Sequence, residues 1–183
     1  MVSEAKRKIR EKILAQRNAL SDEMHIRMDN EIGKKLFANE HFKKAKIIAF
    51  YLHKGSEVHT TNMIKKALEL GKQVIVPVTC DQHIEFYKFI SFEDLESGKY
   101  GILEPKTRTT ITENPDVIIL PGASFGLCMH RIGYGKGYYD QYLGKSPGYR
   151  IGICYDFQIL EKLPKHENDQ RIDCIITEKR III

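Results

Sequence analysis

Ten consecutive residues, Arg131-Ile132-Gly133-Tyr134-Gly135-Lys136-Gly137-Tyr138-Tyr139-Asp140, gather two cations, three glycines, three tyrosines and a carboxylate. Glycines at a spacing of two let the backbone take positive φ and approach a ligand closely. N–H groups exposed by such a loop at a helix start form an anion nest. Arg131 and Lys136 add fixed positive charge, and an Arg fork can grip phosphate through two bonds. Tyr138 and Tyr139 can wall a planar ligand. Asp140 suits Mg²⁺, which usually binds through one or two carboxylates plus phosphates. The chemistry on offer is the handling of a phosphate chain. The loop is not a P-loop, because Gly137 follows Lys136 where Ser or Thr would be needed. Nor does Gly-x-Gly-x-Gly carry the final two-residue gap of the dinucleotide fingerprint, although Asp156 stands about twenty residues on, where a ribose-binding acid would.

A second group of cations lies far earlier in the chain. Of 183 residues, 29 are Lys or Arg and 24 Asp or Glu, a net +5 with His neutral. Residues 1–54 hold 13 Lys/Arg against 7 Asp/Glu, and residues 55–183 hold 16 against 17. The whole basic excess therefore sits in the first third. That disfavours uniform coating of a nucleic-acid duplex and leaves a local anion site or one basic face. On a helix, Lys6, Arg10 and Arg17 fall within ~40° of one another. Ala5, Ile9, Ile13 and Leu20 form an apolar stripe beside them. Cations at the rim of a packed helix line a cleft; Lys34, Lys35, Lys43 and Lys44 read as ordinary solubility.

The elements that must position these residues alternate. Residues 4–19 and 22–39 read as helices, opened by Ser3 and Ser21 as N-caps. Residues 45–52 form a short apolar strand. Thr61 to Leu70 is a helix stopped by Gly71, which suits a C′ position. Residues 73–78, 83–90, 116–120, 149–155 and 172–177 read as strands, with 181–183 as a last one. Residues 91–97 look like a helical turn, and Tyr138 to Leu143 starts a helix. Such alternation implies an α/β fold, a three-layer α/β/α sandwich with a mostly parallel, Rossmann-like sheet in a single domain over 1–183. Ligands in such sheets collect at the carboxyl ends of the strands, here the loops after Leu52, Leu120 and Tyr155.

Composition narrows the setting. Four cysteines at 80, 128, 154 and 174 form no Cys-x-x-Cys pair, which argues against a zinc knuckle or disulfide framework and for reduced thiols in a cytoplasmic protein. No apolar run approaches the ~20 residues of a membrane span. The N-terminal stretch lacks an apolar signal core, and Glu4 and Glu11 argue against a transit peptide.

With these residues in view, the chain resembles the 5-formyltetrahydrofolate cyclo-ligase (5,10-methenyltetrahydrofolate synthetase) family. Arg131 to Asp140 looks like its signature, and the strand-Pro-Gly-x-x-Phe lead-in at 116–125 matches. Lys6-Arg7-Lys8-Ile9-Arg10, Glu57-Val58-His59-Thr60, Gly101-Ile102-Leu103-Glu104-Pro105, His166-Glu167-Asn168-Asp169 and Ile175-Ile176-Thr177-Glu178 follow in family order. The resemblance implies closure of 5-formyltetrahydrofolate to 5,10-methenyltetrahydrofolate with ATP as co-substrate and Mg²⁺ as cofactor. It implies ATP binding by Lys6, Arg7, Lys8, Ile9, Arg10 and residues 131–139, that is Arg131, Ile132, Gly133, Tyr134, Gly135, Lys136, Gly137, Tyr138 and Tyr139. Folate is expected at Leu52, Glu57 and residues 134–138, magnesium at Asp140 and Asp169, and the catalytic charge at Lys136 and Arg131. Arg17 extends the phosphate-binding stripe. Glu104 reads either as a site acid or as a surface loop acid. The expected partners are small molecules, with no nucleic acid and no membrane, and the expected state is a monomer or weak dimer. Two other classes stay open on the residues alone: an RNA-binding module using the basic N-terminal third, and another enzyme, of sugar-phosphate isomerase or CoA transferase type, on a related scaffold.

Overall fold

The computed structural model describes residues 2–183. Helix α1 spans Val2–Asn18 and α2 Asp22–Ala38. The Ser21 hydroxyl caps α2 by accepting the Met24 amide at 3.3 Å. Asn39 ends α2 one residue earlier than expected, because its side chain turns to cap a further helix, α3 (Glu40–Lys44), by accepting the amides of His41 and Phe42. Then come β1 (Ile47–Ala49), α4 (Thr61–Glu69), β2 (Gln73–Thr79) and β3 (Ile84–Lys88). β4 (Leu95–Ser97) and β5 (Leu103–Pro105) pair antiparallel. The helical turn expected over 91–97 is therefore replaced at its end by a strand. The strand is fixed by its partner, in which Glu104 is buried and accepts the Thr79 amide at 2.8 Å. Glu104 is thus a buried clip between β5 and β2 and not a surface loop acid.

The second half runs β6 (Val117–Leu120), β7 (Ser124–Gly126), β8 (His130–Ile132), α5 (Tyr138–Leu143), β9 (Tyr149–Ile153), β10 (Ile159–Leu160), β11 (Cys174–Ile176) and β12 (Ile181–Ile182). The main sheet has seven strands in the order β12-β11-β9-β6-β1-β2-β3. Its five central strands are parallel, and the edge strands β12 and β3 are antiparallel to their neighbours. This is the mixed α/β sheet that the alternation of elements implies.

Side chains of period two divide the strands between two faces. Ile48, Val74, Val76, Val117, Ile119, Ile151 and Ile153 pack under α2, α3 and α4 through Ile32, Leu36, Phe42 and Ile64. Ala49, Ile75, Ile118, Leu120 and Ile175 pack under Phe125, Met129 and Leu143. The second outer layer is therefore built from α5 and the β7–β8 hairpin. That hairpin, with β10 beside β7, forms a small three-stranded sheet that the sequence pattern did not reveal. Its strands are only three and two residues long, too short to show an alternation.

Candidate active site

The parallel strands β1 and β6 are neighbours, so the loops leaving their carboxyl ends meet. The β1 loop carries Glu57. The β6 exit, Pro121-Gly122, leads into the hairpin whose second strand delivers Arg131 to the glycine loop. Gln158 holds this exit: its buried amide donates to the carbonyls of Gly122 and Ala123 at 3.1 and 3.0 Å and accepts the Tyr155 amide at 2.9 Å. Gly135 and Gly137 take φ of 98° and 72°, so the loop needs residues without a Cβ there. At Gly133 a Cβ would stand 2.9 Å from Arg131 Nη1. The loop thus folds down onto a guanidinium.

That guanidinium is the dominant electrostatic feature of the site. The Arg131 side chain is only 3% exposed, and its Nε and Nη2 have no hydrogen-bond partner. Its Nη2 faces Asp140 Oδ1 at 3.4 Å, and its charge lies 5.5 Å from the centre of the Tyr139 ring. Nε has no acceptor and Nη2 meets only the Asp140 carboxylate, so the guanidinium has donor capacity that an anion's oxygens could take up. Asp140 Oδ1 also accepts the Gln170 amide at 3.2 Å, which draws it to the segment bearing Asp169. Burial opposes ionisation of Asp169, but the Lys6 ammonium and the His166 amide outweigh it and hold the carboxyl below its usual range. Two oxygen-donor side chains on adjoining segments, each facing a cation, suit a Mg²⁺ ion that also needs phosphate oxygens.

The basic stripe of α1 does border this site. Lys6 forms an ion pair with Asp169. Arg10 donates through Nε to the Gly133 carbonyl at 2.9 Å, with Nη2 beside Gly135. Arg17 is buried, with Nε and Nη1 bonded to protein: to Ser56 Oγ at 3.0 Å, the Tyr134 hydroxyl at 3.0 Å and the Gly122 carbonyl at 3.4 Å. It clamps α1 to both loops, a positioning role in place of the phosphate contact expected for it. Arg7 and Lys8 lie on the exposed side of α1, where Arg7 pairs with Glu4 and Glu11. Ile9 is half-buried beside Ile13, Phe157 and Leu160.

On the β1 side of the site, Glu57 is 8% exposed and accepts the Lys54 amide at 2.8 Å. Its pKa is raised because burial outweighs the stabilisation from the Tyr134 hydroxyl, the Lys54 amide and Arg17. The Tyr134 ring is half exposed but its hydroxyl points inward, between Glu57 and Arg17, and burial pushes that hydroxyl's pKa up. Leu52 belongs to the main core, and Ile132 is buried in the hairpin. Lys136 stands exposed at the loop tip with Nζ 5.7 Å from the Tyr100 ring centre. Tyr138 donates to the Asp81 carbonyl at 3.4 Å and lies near Tyr100, which raises its pKa. Tyr100 itself, at φ 60° between β4 and β5, forms the opposite rim and is tied there by Lys54 Nζ to its carbonyl. Sequence reasoning missed Tyr100, Lys54 and Gln158. Tyr100 had one available signal, the turn residue Gly101; the other two had none.

Comparisons with known proteins converge. A sequence model of the 5-formyltetrahydrofolate cyclo-ligase family matches residues 2–178. A protein of Schizosaccharomyces pombe named probable 5-formyltetrahydrofolate cyclo-ligase is 31% identical, over 89% of this chain and 90% of its own. The solution structure of Aquifex aeolicus 5,10-methenyltetrahydrofolate synthetase superposes with a TM-score of 0.86 at 34% identity, covering 96% of this chain and 91% of that one. The Mycoplasma pneumoniae 5,10-methenyltetrahydrofolate synthetase gives a TM-score of 0.77 at 28% identity, covering 94% and 98%.

Proposed function

We propose how this chain works from one premise: it belongs to the 5-formyltetrahydrofolate cyclo-ligase family and is a ligase of that class. In our reading it closes 5-formyltetrahydrofolate to 5,10-methenyltetrahydrofolate at the expense of ATP, in one catalytic domain. The formyl group is amide-like and a poor electrophile. Its oxygen attacks the γ-phosphorus, the bond to ADP breaks, and the carbon gains a phosphate leaving group. N10 then attacks that carbon, loses its proton, and phosphate departs with the former formyl oxygen. The protein's part is positioning and stabilisation of moving negative charge.

The observation that carries this reading is the buried Arg131 fork with unpartnered donors, closed over by a loop of positive-φ glycines. Arg131 and Lys136 take the charge that develops on the transferred phosphoryl group. Lys6 and Arg10 take the remaining phosphates from α1, while Arg7 and Lys8 add only field from its exposed side. The backbone of residues 132–137 wraps the phosphates, with Tyr138 and Tyr139 as walls. Asp140 and Asp169 hold Mg²⁺, which when bound neutralises phosphate charge. Glu57 accepts hydrogen bonds from the pterin's amino and ring N–H groups, with Leu52 and Tyr134 beside it. We place the enzyme in the cytoplasm on the strength of its four free thiols. No helix among the described residues is long and apolar enough to cross a membrane.

The test is optical. Mixing protein with 5-formyltetrahydrofolate, ATP and Mg²⁺ is expected to give the near-ultraviolet absorbance of methenyltetrahydrofolate, dependent on both ATP and Mg²⁺. Folded protein that gives no ATP-dependent product would refute the reading.

A further inference from the structure

A second polar cluster lies outside the phosphate site. His25 and Asp29 stand on α2, and His59 belongs to the loop that carries Glu57. One ring nitrogen of each histidine and one carboxylate oxygen of Asp29 lie within 4.8 Å of one another. Asp29 is 8% exposed. Its Oδ1 accepts the Tyr155 hydroxyl at 2.8 Å, whereas its Oδ2 makes no hydrogen bond and stands 3.2 Å from His59 Nδ1. The same Tyr155 hydroxyl lies 2.6 Å from His25 Nδ1. A buried carboxylate oxygen without a partner is costly and calls for an explanation.

We propose that His25, Asp29 and His59 bind a divalent transition-metal cation of the Zn²⁺ class, at a site separate from the phosphate loop. Two imidazoles and one carboxylate are a ligand set that suits Zn²⁺ and its first-row neighbours, whereas Mg²⁺ prefers oxygen alone. The Tyr155 hydroxyl gives its one proton to Asp29 Oδ1, so His25 Nδ1 donates to that hydroxyl oxygen and Nε2 keeps the lone pair. The Tyr155 hydroxyl orients the carboxylate by occupying Oδ1, as outer hydrogen bonds commonly do around metal ligands. Three protein ligands leave a position open toward His59, the most exposed of the three. An occupied site would fasten α2 to the Glu57 loop.

Co²⁺ serves as the spectroscopic probe, added to the full-length protein after chelator treatment. The expected result is one equivalent bound, with visible d–d absorption and no thiolate charge-transfer band. Zn²⁺ should displace it and excess Mg²⁺ should not. His59→Gln changes a residue whose side chain is 40% exposed, so the fold should persist while the signal is lost. Tyr155→Phe should weaken binding by roughly 10–100-fold. A measurement that needs no variant is the imidazole NMR spectrum, in which one equivalent of Zn²⁺ should shift His25 and His59. Failure to bind Co²⁺ stoichiometrically, or a signal surviving His59→Gln, would overturn the proposal. So would a thiolate band lost on Cys80→Ser or an NMR shift at His83 alone, because Cys80, His83 and Glu85 form a second, more exposed ligand group.

Discussion

Replacing Tyr134 with Phe removes one hydroxyl and leaves the ring. In the structure that hydroxyl accepts Arg17 Nη1 at 3.0 Å and, lying near Glu57, favours its ionised form. A hydrogen bond to a charged group contributes about 1.5–3 kcal/mol, and about 1.36 kcal/mol corresponds to one pKa unit. The hydroxyl meets Arg17 within hydrogen-bond distance and Glu57 only more loosely, so the lower end applies. The sign follows from the carboxylate's role. Glu57 already ionises above its ordinary range because burial dominates, and in the proposed role only the ionised form offers both oxygens to the pterin's N–H donors. Catalytic efficiency toward folate therefore falls as pH drops through the Glu57 pKa. Without the Tyr134 hydroxyl the ionised form is less favoured, so the acid limb of kcat/KM for 5-formyltetrahydrofolate should move to higher pH by roughly one unit. Arg17 keeps Ser56 and Gly122 as partners, so stability should fall by only about 1 kcal/mol. The assay is methenyltetrahydrofolate formation across pH at saturating ATP, with Glu57→Gln as the control that should lack this limb. An acid limb that stays in place in Tyr134→Phe, or that persists in Glu57→Gln, would refute the reasoning.

Glu57→Gln should also raise the melting temperature at pH 7 and leave it nearly unchanged at pH 4. A carboxyl whose folded pKa is raised contributes stability below its unfolded pKa and loses it as pH rises, so the gain from neutralising it appears only on the alkaline side. Calorimetry at the two pH values reads this directly. Arg10→Ala and Lys136→Ala should each raise the KM for ATP by about 10-fold or more, the equivalent of one lost charge-assisted bond, with little change in denaturant midpoint for the exposed Lys136. Asp140→Asn should shift the Mg²⁺ titration of activity to higher concentration, and an unaltered titration would count against its metal role. Gln158→Ala should cost about 3 kcal/mol in urea unfolding, because it removes three buried hydrogen bonds at the β6 exit and leaves the Gly122 carbonyl only its longer bond from Arg17.

Much of the site was legible because its chemistry is local in sequence. The glycine loop, its two cations and Asp140 sit within ten residues, and the loop's positive φ angles fall on two of its three glycines. The phase of Lys6, Arg10 and Arg17 predicted a cationic stripe beside a packed face, and all three reach the loop region, directly or through Asp169. Which of them meets ligand could not be read from phase. Arg17 lies deep enough for protein acceptors to consume its donors, while Arg10 spends only one donor on a carbonyl.

The alternation of apolar strands and amphipathic helices determined the parallel sheet, since each element needs a face to bury and the pattern states which residues supply it. Composition determined that the basic excess was local. Only the tertiary structure decided what each charge faces. Arg131 reads from the sequence as a phosphate-gripping cation, and the fold shows its burial beneath the loop, with Nε lacking any acceptor and Nη2 facing Asp140. Glu104 reads as either a site acid or a surface loop acid, and strand pairing makes it a buried clip. His25 and Asp29 share a helix face at a spacing of four, but nothing in the sequence joins His59 to them, because a distant loop brings it there. The physical reason is common to all: residue type sets what a group can exchange, and burial and neighbours, fixed by contacts far apart in the chain, set whether it must.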